Sequence, residues 1–260
     1  MKKLIPLLLL FVSLPSLAQR QFDIEVIIFK RSVDIEKTSE SWPSDVADIE
    51  MSRTGRFTDA GFLQSKGVTL LSPEQYQLNE QVNKLNRHAG FEVLLHKAWR
   101  QGDQNRQGAP IFHIQAGDNF AGQFNPDGSE RIPGQNNPVI EGVTETNLDQ
   151  PLYELDGKLQ VYVEHYLYAD VMLDVKSPSV RQVMLEQPEL QLDMVDSDDN
   201  AVVQAGLLEE VSPTVIEERF LKHYRLDQKR RMRSTETHYL DHPLLGVIIQ
   251  VRRVESDNES

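Results

Sequence analysis

Between Lys229 and Pro243 the chain gathers Arg230, Arg231, Arg233, His238, Tyr239, Asp241 and His242, a cationic cluster followed by a His/Asp turn, in a protein of formal net charge -13. Guanidinium forks bind carboxylates through paired hydrogen bonds, so these seven residues form the candidate ligand-binding set. A second chemistry is suggested by His238 and His242, which have the spacing of the two metal ligands in HExxH. Position 239 is Tyr, however, so the general-base Glu is missing and no third ligand is evident. No metal is therefore expected. Asp241, His242 and Pro243 read instead as a cap that fixes the start of the last strand.

Other catalytic patterns fail on particular residues. Asp196, Asp198 and Asn200 imitate the start of an EF-hand loop, but Ala201 replaces the turn glycine and Leu207 the bidentate Glu. With 40 acidic residues, some carboxylate pair will stand at glycosidase spacing by accident, so that signal has no specificity. The chain has no Cys, no SxxK and no GxSxG, which removes the markers of nucleophilic acyl transfer. No catalytic residue and no cofactor are assigned.

The elements that must position the cluster follow from periodicity. Residues 220–233 read as a strand with Arg225, Lys229, Arg231 and Arg233 on one face and Phe220, Tyr224, Leu226 and Met232 on the other. Ser234 is expected to cap a short helical turn through Tyr239, and Val247, Ile249 and Val251 alternate as a final strand. At the other end Phe22, Ile24, Val26 and Ile28 form a strand that enters the sheet interior. Residues 31–66 read as loop with one short helix.

Ser72 to Gly90 reads as the clearest helix, with a capping box to Gln75, Pro73 at the first position and Leu78, Val82, Leu85 and Ala89 as its buried stripe. Phe91 to Trp99 is a strand expected to pair with Ile111–Gln115. From Ala116 to Gln150, 16 of 35 residues are Gly, Pro, Asn or Asp, a long irregular loop with a turn at Asn125 to Ser129. Leu159 to Val175 alternates throughout except at His165; as one strand of about 60 Å it needs a bulge or strong twist. Leu190, Leu192 and Met194 suggest a further strand, followed by a turn at Asp196 to Asn200 and a break at Ser212-Pro213. Strands dominate without regular intervening helices, so the fold class is α+β, a mainly antiparallel sheet with few helices packed on it.

Met1 to Ala18 has a short basic start, an apolar run of about 14 residues and a small-x-small site, and reads as a signal peptide cut after Ala18 rather than a membrane span. Its loss removes Lys2 and Lys3 and leaves 25 basic against 40 acidic residues, which argues against nucleic acid and anionic lipid as partners. Residues 19–255 are expected to form a single domain, with two subdomains split near 116–150 as the alternative. No stable membrane insertion is expected.

Three segments, FDIEVIIFKR, GKLQVYVEHYLYADVMLDV and RRMRSTETHYLDHPLLGVIIQV, resemble in order the recurrent segments of the CsiV family, periplasmic peptidoglycan-binding proteins of Gram-negative bacteria. The resemblance implies a non-enzymatic periplasmic protein that binds peptidoglycan and supports cell-wall synthesis. Its implied partners are a class A penicillin-binding protein and that enzyme's outer-membrane lipoprotein activator. Peptidoglycan carries peptides with free carboxylates on an uncharged glycan, so its site should combine arginines with aromatic faces. Arg231 and Arg233 with Tyr162, Tyr166 or Tyr168 meet that need if their strands are neighbours. A carboxylate- or zinc-dependent wall hydrolase and a protein-only scaffold are the alternatives.

Overall fold

The first strand is apolar on both sides because two different layers cover it. The structure, a computed structural model, describes residues 20–33, 42–43, 46–132, 150–184 and 215–255. The leader, the 133–149 part of the irregular loop, the strand expected at 190–194, the turn at Asp196 to Asn200 and the Ser212-Pro213 break lie outside them. The elements are β1 (Gln21–Arg31), α1 (Ala60–Lys66), β2 (Thr69–Leu70), α2 (Asn79–Asn86), β3 (Phe91–Gly102), β4 (Ile111–Asn119), β5 (Tyr153–Val163), β6 (Leu167–Met184), β7 (Val215–Met232), β8 (Thr237–Asp241) and β9 (Leu245–Arg253). They form a five-stranded sheet in the order β2-β3-β1-β9-β8 and a four-stranded sheet in the order β4-β5-β6-β7. The fold is α+β and mainly antiparallel sheet.

Two compact units are present: residues 1–119, 151–176 and 223–260 make the first, and residues 120–150 and 177–222 the second. In the first, the inward faces of both sheets share one core. Ile24, Val26 and Ile28 of β1 meet Trp99 of β3, Phe112 and Ile114 of β4, Leu159 and Val161 of β5, and Val247, Ile249 and Val251 of β9. The Trp99 indole donates to Gln101, whose amide donates in turn to the Val161 carbonyl, so these two buried side chains are paired between the sheets. On the other side of β1, Ile27 and Phe29 pack under Leu78 of the turn before α2, with Val82, Leu85, Phe91 and Val93 around them. A register shift between Ile28 and Phe29 lets β3 serve both layers: Phe91 and Val93 face α2, while Trp99 faces the inter-sheet core.

The expected helix over 72–90 is cut down to its second half. The capping box of Ser72 and Gln75 forms, yet it opens only a 3-10 turn, and Tyr76 leaves in extended conformation. The Gln77 and Leu78 N–H groups are taken by the buried Glu25 carboxylate at 2.8 and 2.9 Å, so the chain docks on β1 before α2 begins. Ala89 is exposed, beyond the end of α2. Nor does β4 pair with β3. The 103–110 connection carries the chain from one sheet to the other, and β4 pairs with β5 instead.

The pattern from Leu159 to Val175 is a hairpin rather than one bulged strand. β5 and β6 pair antiparallel with Val161 opposite Ala169, Tyr162 opposite Tyr168 and Val163 opposite Leu167. The turn holds three residues, Glu164 to Tyr166, closed by the Glu164 N–H on the Tyr166 carbonyl. An odd-numbered turn returns the chain with its inward and outward positions on the same odd-even count, so the alternation runs through it unbroken.

In the second unit, the turn at Asn125 to Ser129 closes through the Gly128 N–H on Asn125 and the Asn125 N–H on Ser129, with Gly128 at φ 83°. The Gly128 carbonyl accepts from Leu221. Arg219 pairs with Glu130 at 2.6 Å and Arg181 with Glu218 at 2.9 Å.

Candidate functional site

The outer face of the four-stranded sheet, within the first unit, collects cations on tyrosine rings. Alternation along β7 sends Arg225, Asp227, Lys229 and Arg231 outward while Leu226 and Met232 are buried. β6 lies beside β7, and the β5–β6 hairpin stacks Tyr168 on the fully buried Tyr162 with centroids 5.5 Å apart. Lys229 Nζ lies 4.7 Å from the Tyr168 centroid and 5.6 Å from that of Tyr162. At the turn, the Arg231 guanidinium carbon sits 3.4 Å over the Tyr166 ring, which is itself 47% exposed. Arg106, from the connection between sheets, completes the row 5.9 Å from the Tyr162 centroid. Such contacts are worth about 0.5–1 kcal/mol each at exposed sites and fix the cation without neutralising it.

Charge pairing divides the cations of this face, and Arg106 is held by Asp170 at 2.9 Å. Arg225 is spent in a two-pronged bond to the buried Asp174, at 2.8 and 2.7 Å. Arg100 grips Asp23, and Arg252 the buried Glu25. Lys229 and Arg231 have no carboxylate partner among the described residues. The Tyr162 hydroxyl is buried and closes no hydrogen bond of ordinary geometry, although it helps hold the proton on the nearby Lys229.

The seven residues singled out from the sequence do not form one surface. The segment expected as a helical turn through Tyr239 is strand β8, entered through Thr235 at φ 72°. On a strand, neighbours point to opposite faces, and that divides the set. Arg231, Arg233 and His238 line a shallow depression of about 280 Å³ with Glu236. There the His238 Nε2 accepts the Arg233 N–H at 3.1 Å, and Arg233 reaches Glu236 at 3.5 Å. Tyr239 and Asp241 face the other way, where Arg31 donates to both and Asp241 lies 2.6 Å from it. Tyr239 also donates to Asp241 at 2.9 Å and stacks on Phe29. Burial, with the Asp241 carboxylate, raises the Tyr239 pKa. Arg230 is exposed and shares the parity of Met232, opposite to Arg231.

His242 is buried, with Trp42 4.9 Å from its ring and its Nδ1 accepting the Leu244 N–H. Burial is the main force that lowers its pKa to about 4, so it is neutral near pH 7. His238 lies on β8 and His242 just past its end; along such an extended segment four residues span roughly 13 Å, too far for the two to share one ion. Lys229 and Arg106 are the members of the cationic row that the candidate set lacked. Lys229 was legible in the alternation of β7, whereas Arg106 sits in a loop with no sequence signal for its position.

With this face described, comparison with known proteins adds its identity. Residues 3–254 match the family described as "Peptidoglycan-binding protein, CsiV". The chain belongs to the CsiV family. That match takes in every strand of both sheets, so the cationic row is a feature of a CsiV-family chain and not of an appended segment. Searches of the curated proteins and of the solved structures gave no significant match. Among the described residues no helix is long and apolar enough to cross a membrane.

Proposed function

We propose that this CsiV-family protein is a non-enzymatic peptidoglycan-binding protein that uses the outer face of the four-stranded sheet. The observation that carries the reading is Arg231, stacked on the exposed Tyr166 with its donors unspent on any carboxylate among the described residues. In a chain of net charge -13, cations that find no internal partner favour an external one. Carboxylates of the wall peptides supply the charge, and the rim of Tyr166 offers an apolar face beside a sugar.

The leader sequence supports export with cleavage after Ala18, and hence a periplasmic location. The family resemblance supports a role in wall synthesis through a class A penicillin-binding protein and its outer-membrane lipoprotein activator. Arg231, Arg233 and His238 are the residues of the original set retained at the site; Lys229 and Arg106 join them.

Co-sedimentation with purified sacculi tests the reading. Residues 19–260 should pellet, less at high salt than at low, because exposed charge contacts are screened. Lys229→Glu with Arg231→Glu should remove the protein from the pellet at unchanged Tm. Undiminished pelleting of that variant removes the site, and soluble muropeptides in the supernatant would replace binding with hydrolysis.

A further inference from the structure

We infer that a groove next to the tyrosine row receives the free end of a wall stem peptide, a short chain carrying carboxylates and an amine. This inference rests on the peptidoglycan reading above and names the part of the ligand that the groove takes. The groove encloses about 400 Å³ on the same outer face. Its floor is Lys158 of β5 with Asp170 and Met172 of β6, and its walls are Glu50, Arg53 and Arg106.

The walls are fixed by the same charges that line them. Residues 46–54 are strapped over the sheet by Arg225, donating to the Ala47 carbonyl at 2.6 Å, and by Lys158, donating to the Glu50 carbonyl at 2.8 Å. Arg53 donates to the Gln107 carbonyl at 2.7 Å, and Arg106 pairs with Asp170 at 2.9 Å. An arginine has five N–H donors and a lysine three, so each cation retains donors after holding its wall. Glu50 accepts from the Ser52 N–H at 2.7 Å and from the Ser52 side chain, and a carboxylate has about four acceptor positions, so it retains capacity for an amine.

The groove therefore offers both signs of charge in a preset frame, with one cation more than it has carboxylates. A ligand with one carboxylate more than it has amines complements that balance, and Met172 gives its aliphatic stem an apolar surface. A purely anionic ligand would bring its charge against Glu50 and Asp170, and a neutral sugar would leave the charges unanswered. Continuity with the tyrosine row comes through Arg106, which touches both: its guanidinium lies over Tyr162 and bonds Asp170. Glycan against the exposed Tyr166 and its peptide in the groove can thus be held on one face.

Calorimetric titration of residues 19–260 with a synthetic stem peptide, and with the same peptide acetylated at its free amine, tests the groove. Lys158→Gln should weaken both peptides about tenfold. Glu50→Gln should weaken the free-amine peptide about fivefold and leave the acetylated one unchanged. Both variants should still pellet with sacculi through the tyrosine row, and an unchanged Tm checks their folding. Equal peptide affinity in all three proteins, or no peptide binding by the wild type, overturns the groove assignment. Peptide binding that follows this pattern without sacculus pelleting would instead overturn the wider reading and keep the groove.

Discussion

Glu25 is completely buried, yet it is charged. Burial pushes its carboxyl pKa up, but hydrogen bonds from His96, from Arg252 and from the Gln77 and Leu78 N–H groups outweigh that and bring it to about 2. The carboxylate thereby joins β1, β3, β9 and the turn before α2 at one point. Removing one member of such a cluster leaves the rest buried without a partner, so Glu25→Gln should cost about 3 kcal/mol in a denaturant titration at pH 7. His242 works in the opposite sense. Its folded pKa of about 4 lies below the ordinary 6.5, so the unfolded chain binds the extra proton between those values. Its contribution is complete above pH 6.5, and about 3 kcal/mol is lost as the pH falls to 4. The expected readout is a Tm that declines across that window in the wild type. In His242→Asn, whose side-chain oxygen can accept the Leu244 N–H, the decline should be shallower, the remainder coming from groups such as His223, whose pKa burial also lowers, and Glu25.

Elements were legible where one face is buried and the other wet. β7 and β9 show that alternation; β9 lies where the sequence reading put it, and β7 overlaps the strand expected at 220–233 but starts at Val215. Boundaries failed where tertiary contacts overrule local signals: Glu25 intercepts the start of the helix expected at Ser72, and three turn residues hide inside an unbroken alternation at Glu164 to Tyr166. His165, the one break in the pattern, marked that turn. The site was half legible for the same reason. The cationic face of β7 follows from parity, but its meeting with Tyr166 and Tyr168 depends on strand order, which no local pattern encodes. The sequence reading kept Tyr239 and His238 in one candidate set, where strand β8 sets them on opposite faces. The hairpin also contains a sharp test. A Cβ on Gly157 of β5 would stand 2.2 Å from the Met172 carbonyl oxygen of β6, and this backbone cannot swing aside as a side chain would. Gly157→Ala should therefore cost about 2–4 kcal/mol, with a lower Tm as the measurement.

At the scale of the molecule, the strand order ties the two ends of the sequence together. β1 lies between β3 and β9, with Phe22 opposite Arg253 and Lys30 opposite Leu245. The first strand to be synthesised must therefore wait for the last. Until more than 200 further residues have followed it, Ile24, Val26 and Ile28 lack one of their two neighbours, and closing so long a loop is entropically slow. A chain stopped before Leu245 should show no cooperative unfolding transition by circular dichroism, although it retains most of its strands. While its C-terminal segment is still on the ribosome, the protein cannot complete its five-stranded sheet. Its order of synthesis thus leaves the central strand of that sheet open on one side until the last described strand is released.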